Sequence, residues 1–196
     1  MDDEKQLIHL SKNGDRKSFD MLVKKYASQI FNLAYRLSGN RDTAQDIAQE
    51  SFINAYIGIK NFEERSSFLS WLYRITINCW KNKVRYEKRR FFSRHVSIDE
   101  MIETEDTPIK RDVISKEEDV VNKVETKIRS EEVQKILDTL DYESKTIIIL
   151  RDIFEKEYEE ISDIMKIPLG TVKSRLSRAR QELRQKISFL IDGEKK

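Results

Sequence analysis

An all-α fold is predicted, in which a flexible acidic linker joins two small helical domains and the second ends in a helix-turn-helix. Three observations predict it. Turn formers are scarce, with 5 glycines and 2 prolines in 196 residues, which favours long helices over a strand-rich fold. Apolar residues recur at spacings of three and four. Charged residues reach 37%, against roughly 25% in ordinary globular proteins, and they fall in blocks.

The first helix read from that periodicity spans 18–37, with Phe19, Leu22, Val23, Tyr26, Ile30, Leu33 and Leu37 on one face and a stop near Gly39. Asp42, with Gln45 three residues on, has the register of a capping box for the next helix. That helix buries Ala44, Ile47, Ala48, Ser51, Phe52 and Ala55. A break over Gly58–Ser67 precedes a helix starting near Phe68, with Leu72, Ile75 and Cys79 inside. From Ser93 to about Arg129 periodicity lapses and Pro108 intervenes, the pattern of a tether. Ser130 can cap a further helix carrying Val133, Ile136, Leu137 and Leu140, and another is expected near Lys145–Phe154. The predicted boundaries are an N-terminal helical domain over 1–92, an acidic linker over 93–129 and a C-terminal domain over 130–196.

Net charge is only +2, but its distribution is uneven. Six cations between Lys81 and Arg90 oppose Glu87 alone, and six between Lys173 and Lys186 oppose Glu182 alone. Between them, Ser97–Asp119 carries nine acids, including Asp99, Glu100, Glu103, Glu105 and Asp106, against Lys110, Arg111 and Lys116. Two basic blocks around an acidic one suggest two polyanion-binding modules and a spacer. Cys79 is the lone cysteine, which excludes an internal disulfide and a cysteine-rich zinc site. The longest aliphatic run, Ile147–Leu150, is too short to span a bilayer, and no apolar leader follows Asp2-Asp3-Glu4, so a cytoplasmic location without membrane insertion is expected.

The last two expected helices, Tyr158–Lys166 and about Gly170–Ile191, give the most specific signal. Ile161, Ile164 and Met165 form the inner face of the first, and Ile167-Pro168-Leu169-Gly170 supplies the turn, because the residue before proline leaves the α region. The second helix buries Val172, Leu176, Ala179, Leu183 and Ile187. Thr171, Ser174, Ser177, Arg178 and Gln181 project opposite that stripe. Lys173, Arg180 and Arg184 lie on one flank and Arg175 on the other. Short polar groups and an arginine suit base edges, while flanking cations suit phosphates. A solvated basic face is the plain alternative. RNA binding is disfavoured by the absence of stacking aromatics.

In the N-terminal domain, Asp42, Asp46 and Glu50 stack at one helical spacing with Gln49 alongside, which suits a solvated face or, in principle, a Mg²⁺ site. Ser70, Arg74, Asn78, Lys81 and Arg85 form an outer stripe with Trp71 at its edge, an arrangement fit for an unpaired DNA strand. Trp71 is equally a candidate for the core.

Three segments then carry a family resemblance. Tyr158-Glu159-Glu160-Ile161 together with Ile167 through Arg180 resembles the −35 reading domain of extracytoplasmic-function sigma factors. Asp42 through Phe52 resembles their polymerase-clamp segment, and Phe68-Leu69-Ser70-Trp71-Leu72-Tyr73-Arg74-Ile75 with Asn78 resembles their −10 segment. The order and spacing match. The resemblance implies that Asp42, Asp46, Gln49 and Glu50 dock on the largest subunits of core RNA polymerase. It implies that Asn61, Phe62, Arg65 and Ser66, in a loop with Glu63 and Glu64 that accepts a flipped base, join Trp71, Arg74, Asn78, Lys81 and Arg85 on the −10 strand. Phe62 has a plainer role as a loop anchor. Thr171, Lys173, Ser174, Arg175, Ser177, Arg178 and Arg180 are implied to meet the −35 duplex.

Core RNA polymerase and promoter DNA are the implied partners; an anti-sigma factor is admitted, although no residue establishes one. No catalytic residue, metal or cofactor is expected. The acidic linker is either a spacer or, by resemblance, a segment that threads the polymerase channel. Competing classes are an operator-binding regulator that leaves the 42–52 motif unexplained, a nuclease whose carboxylates lack nearby histidines, and a protein-only adaptor that leaves both basic helices idle. Two departures stand out: Lys166 replaces the family's usual turn glycine, and Glu155-Lys156-Glu157 replaces Gly-x-Ser. A left-handed Lys166 costs about 1 kcal/mol more than glycine.

Overall fold

The computed structural model describes residues 2–96 and 133–193, and among these no strand occurs. Two helical lobes emerge, as predicted.

Helix α1, Asp2–Lys12, was not foreseen. Its acidic first residues hide a short apolar pair, Leu7 and Ile8, both buried against the second helix. Helix α2, Arg16–Ser38, starts at Asp15, whose carboxylate accepts from the Lys17 and Ser18 backbone. It stops at Gly39, which takes the left-handed conformation (φ 71°) that ends helices cheaply only for glycine. Leu22, Ile30, Leu33 and Leu37 are fully buried, confirming the apolar stripe.

Helix α3, Arg41–Gly58, begins one residue earlier than predicted, and the cap is Asn40 rather than Asp42. Asn40 Oδ1 accepts from the Thr43 backbone at 2.9 Å. Asp42 sits inside the first turn, where its charge meets the positive end of the helix dipole. A short 3₁₀ turn, Ile59–Asn61, leads to the loop before α4, Phe68–Val96. Ser67 Oγ accepts the Ser70 backbone N–H at 3.0 Å as that helix starts. Because α4 runs to Val96, the N-terminal helices extend beyond residue 92, and most of the expected linker, with the Ser130 cap, lies outside the described residues.

The C-terminal lobe opens with α5, 133–138. Asp141 caps α6, Tyr142–Ile148, and accepts from the Glu143 and Ser144 backbone at 2.8 and 3.0 Å. The chain then widens into one π turn, Ile149–Ile153, closed by the Phe154 N–H donating to the Ile149 carbonyl at 3.0 Å. Helices α7, Tyr158–Met165, and α8, Leu169–Gly193, complete the helix-turn-helix.

The outer stripe expected on α4 needs correction at Ser70. That side chain is buried, with its Oγ 2.8 Å from that of Ser67. Tyr73, Thr76 and Ile77 are buried as well as the predicted inner stripe. The C-terminal lobe covers them: Tyr73 meets Phe154 edge-on with ring centres 5.5 Å apart, and Tyr142 Oη donates to the Ile77 carbonyl at 3.2 Å. One apolar core thus runs through both lobes.

Candidate nucleic-acid interface

The helix-turn-helix is built as its sequence predicts. Ile161, Ile164, Val172, Leu176 and Ala179 are all buried between α7 and α8. Lys166 is left-handed at φ 55°, ψ 47°, so the turn keeps a glycine's geometry without glycine. Ser162 secures it from both sides: its Oγ donates to the Ile167 carbonyl at 2.7 Å, and its own carbonyl accepts the Ile167 N–H at 3.2 Å. Glu155, at the other site where the family favours glycine, also has positive φ, 52°. Arg151 braces that loop. Its guanidinium donates to the Lys156 carbonyl at 2.9 Å, pairs with Glu157 at 3.2 Å and lies 4.9 Å from the Tyr158 ring centre.

On α8 the predicted residues divide into two groups. Lys173, Ser174, Ser177 and Arg178 are exposed, and Thr171 is half-buried at the helix start. Arg175 and Arg180 have internal partners instead: Arg175 pairs with Glu143 at 2.6 Å, and Arg180 forms a two-pronged pair with Asp152. Asp152 raises the pKa of Arg180, so the pair stays charged. These two arginines clamp α8 onto the rest of its lobe. Among the described residues, Lys173 and Arg178 have no carboxylate within ion-pair distance, and they stand where a phosphate and a base edge would meet the helix.

The second basic surface is on α4 and the loop before it. Asn61, Arg65, Asn78 and Arg85 are exposed, and Ser66, Trp71, Arg74 and Lys81 are partly buried. Phe62 is turned inward, against Phe68 at 5.6 Å and Trp71 at 5.0 Å between ring centres, which is the anchoring role. Trp71 does two things at once: one face packs on this aromatic cluster, and the other lines a cleft of about 330 Å³. Loop residues 61–66 and Arg74 share that cleft. Asp163 and Lys166, from the helix-turn-helix, close its far side. No sequence signal pointed to those two, because their neighbours lie about a hundred residues away.

The third surface is the outer face of α3. Asp42, Asp46, Gln49 and Glu50 are all exposed, and Ile53 and Ile57 continue the same side at 53% and 71% exposure. Lys83 reaches Asp46 at 3.4 Å, a loose surface pair worth little to stability. Among the described residues, no three His, Cys, Asp or Glu side chains converge as a metal site would need. No helix there is long and apolar enough to cross a membrane.

A two-lobed helical protein with a helix-turn-helix, a second basic helix beside a cleft and a carboxylate face is a DNA-binding protein of the transcription apparatus. Family models agree on the particular group. Residues 22–90 match Sigma-70 region 2, and residues 130–183 match Sigma-70 region 4. The chain is 36% identical to the ECF RNA polymerase sigma factor SigW of Bacillus subtilis, over 95% of this chain and 97% of that one. It is 33% identical to the RNA polymerase sigma-H factor of Pseudomonas aeruginosa, over 96% and 95%. Among solved structures, the sigma factor RpoE of Bartonella quintana, in complex with the anti-sigma factor NepR, superposes with a TM-score of 0.64 at 24% identity, over 88% of this chain and 98% of that one. The chain belongs to the sigma-70 family, in its extracytoplasmic-function group. It is an initiation factor.

Proposed function

We propose that this protein docks on core RNA polymerase through α3 and selects promoters with two separate DNA surfaces. Helix α8 reads −35 duplex in the major groove, with Ser174, Ser177 and Arg178 toward base edges and Lys173 toward phosphate. Arg175 and Arg180 act mainly by holding α8 in place, since both are already paired. The loop over 61–66 and the edge of α4 capture the −10 strand. There Trp71 offers a ring face, Arg74, Lys81 and Arg85 offer charge, and the cleft takes an unstacked base.

Duplex opening then draws on binding energy, and this chain forms and breaks no covalent bond. Each DNA module alone binds weakly, and tethering both to one enzyme raises their effective concentration. The acidic segment over 93–129 is the tether, suited by its charge to a groove built for a polyanion. The cytoplasm is the expected place of action. An anti-sigma factor is a further partner, as in the complex of the Bartonella quintana relative.

The observation that carries this reading is the exposed, unpaired Arg178 amid small polar residues on the outer face of a helix-turn-helix. In vitro transcription with core polymerase tests it. The protein should create new start sites, and Arg178→Ala should weaken −35-dependent initiation by roughly tenfold or more, the loss of one good base contact. Asp46→Ala with Glu50→Ala should reduce recovery of core polymerase in a pull-down. Normal initiation by the first variant removes α8 as the reading helix, and normal recovery of the second removes α3 as the docking face.

A further inference from the structure

The seam between the lobes combines close fit with poor polar satisfaction. Across it, Tyr73 packs on Phe154, Tyr142 Oη donates to the Ile77 carbonyl at 3.2 Å, and Gln134 Nε2 donates to the Arg36 carbonyl at 3.1 Å. Lys156 Nζ lies 5.7 Å from the Tyr73 ring centre and Lys145 Nζ 5.9 Å from that of Trp80. A methyl group on Gly39 would come within 2.7 Å of Asp138, so backbone of one lobe touches side chain of the other.

Four buried side-chain polar atoms have no hydrogen-bond partner among the described residues: Arg36 Nη1, Arg74 Nε, Trp80 Nε1 and Gln134 Oε1. All four belong to residues that meet the opposite lobe. Native interiors rarely leave such atoms unpaired, and each regains a water partner on exposure. The seam is therefore held by apolar contact and strained by desolvation, the balance of an interface made to part. What it covers is specific: Asp163 and Lys166 close the cleft against Arg74, Trp71 and loop 61–66. The outer face of α8 stays exposed.

We infer that the free chain masks its own −10 surface by folding the helix-turn-helix lobe onto α4, and that parting the seam is a required step before the strand is captured. The proposal rests on the reading of α4 as the −10 surface. Masking reduces apparent affinity by the fraction of open molecules, so opening is read directly as tighter binding. It applies to single strands alone, because duplex is read by the face that stays free.

Two full-length variants test it. Lys156→Glu places an acid against the Tyr73 ring and makes the protein more acidic, so a gain in DNA binding cannot come from added charge. Gln134→Ala with Tyr142→Phe removes both cross-seam side-chain hydrogen bonds without changing charge, and covers the case where the first variant misfolds. Spin labels on cysteines introduced at the exposed Asp20 and Gln181 report lobe separation, and a fluorescent randomised single-stranded oligonucleotide reports the −10 surface. The expected result is a short distance in the parent, a longer one in the variants, and at least about fivefold tighter single-strand binding with duplex binding unchanged. A parent whose lobes are already apart overturns the inference. So do variants that open without binding the strand more tightly. In that second case Arg74→Ala separates the causes: lost −10-dependent transcription leaves the −10 reading standing, and unaltered transcription removes it too.

Discussion

Lys166 is the residue at which this chain departs most plainly from its family and obeys it at the same time. Its backbone takes the left-handed conformation that the turn demands, at φ 55°, despite a Cβ that disfavours it. Lys166→Gly is expected to raise the stability of the helix-turn-helix by about 1 kcal/mol, read as a shifted denaturation midpoint at constant slope. Its side chain closes the cleft beside the 61–66 loop, so the same change should leave −35 reading intact. Arg175 and Arg180 teach a different lesson at this scale. Helical projection placed them on the flanks of a DNA-binding face, and both are indeed there. Projection could not show that Glu143 and Asp152, 32 and 28 residues earlier in the chain, already occupy them.

Among the elements, α3 shows how caps and faces separate. Asn40 supplies the cap and Asp42 does not, so Asn40→Ala should cost about 1 kcal/mol while Asp42→Ala costs a few tenths through the dipole alone. Thermal denaturation of the two variants side by side checks the ranking, and a reversed order would restore Asp42 as the cap. The periodic stripes of α2, α3, α7 and α8 were legible because one face of each meets its own lobe. Helix α4 was legible on one side only. Tyr73, Thr76 and Ile77 read as surface in any local window, and they are buried because a second lobe arrives from far along the chain. Helix α1 went unread because two buried residues in eleven make too weak a period.

For the whole molecule, acid is the expected weak point. Burial opposes charge on Asp141, but hydrogen bonds from Ser144 and the Glu143 backbone outweigh it and hold the carboxyl below its usual value. Burial likewise opposes charge on Glu160, and Lys156 with the Glu157 N–H outweighs it. Both groups are depressed in the folded state, so their stabilisation is complete above the ordinary carboxylate range and is lost as pH falls through it. Stability of the C-terminal lobe should be flat from neutrality to about pH 5 and should decline below about pH 4. Urea denaturation across that range is the check, and a decline setting in above pH 6 would point to another group. Burial also pushes the Cys79 thiol up, so it stays protonated and slow toward alkylating reagents in the native protein.

The π turn over Ile149–Ile153 carries a consequence for inheritance by insertion and deletion. One surplus residue there sets the angular phase between α6 and everything that follows it. Excising a single residue would convert the bulge to ordinary helix and swing the downstream pair by about 100° around the axis. The Arg180–Asp152 clasp and the burial of Leu150 would then be out of phase together. A frame-preserving loss of one codon in these five is therefore a heavier lesion than most substitutions within them.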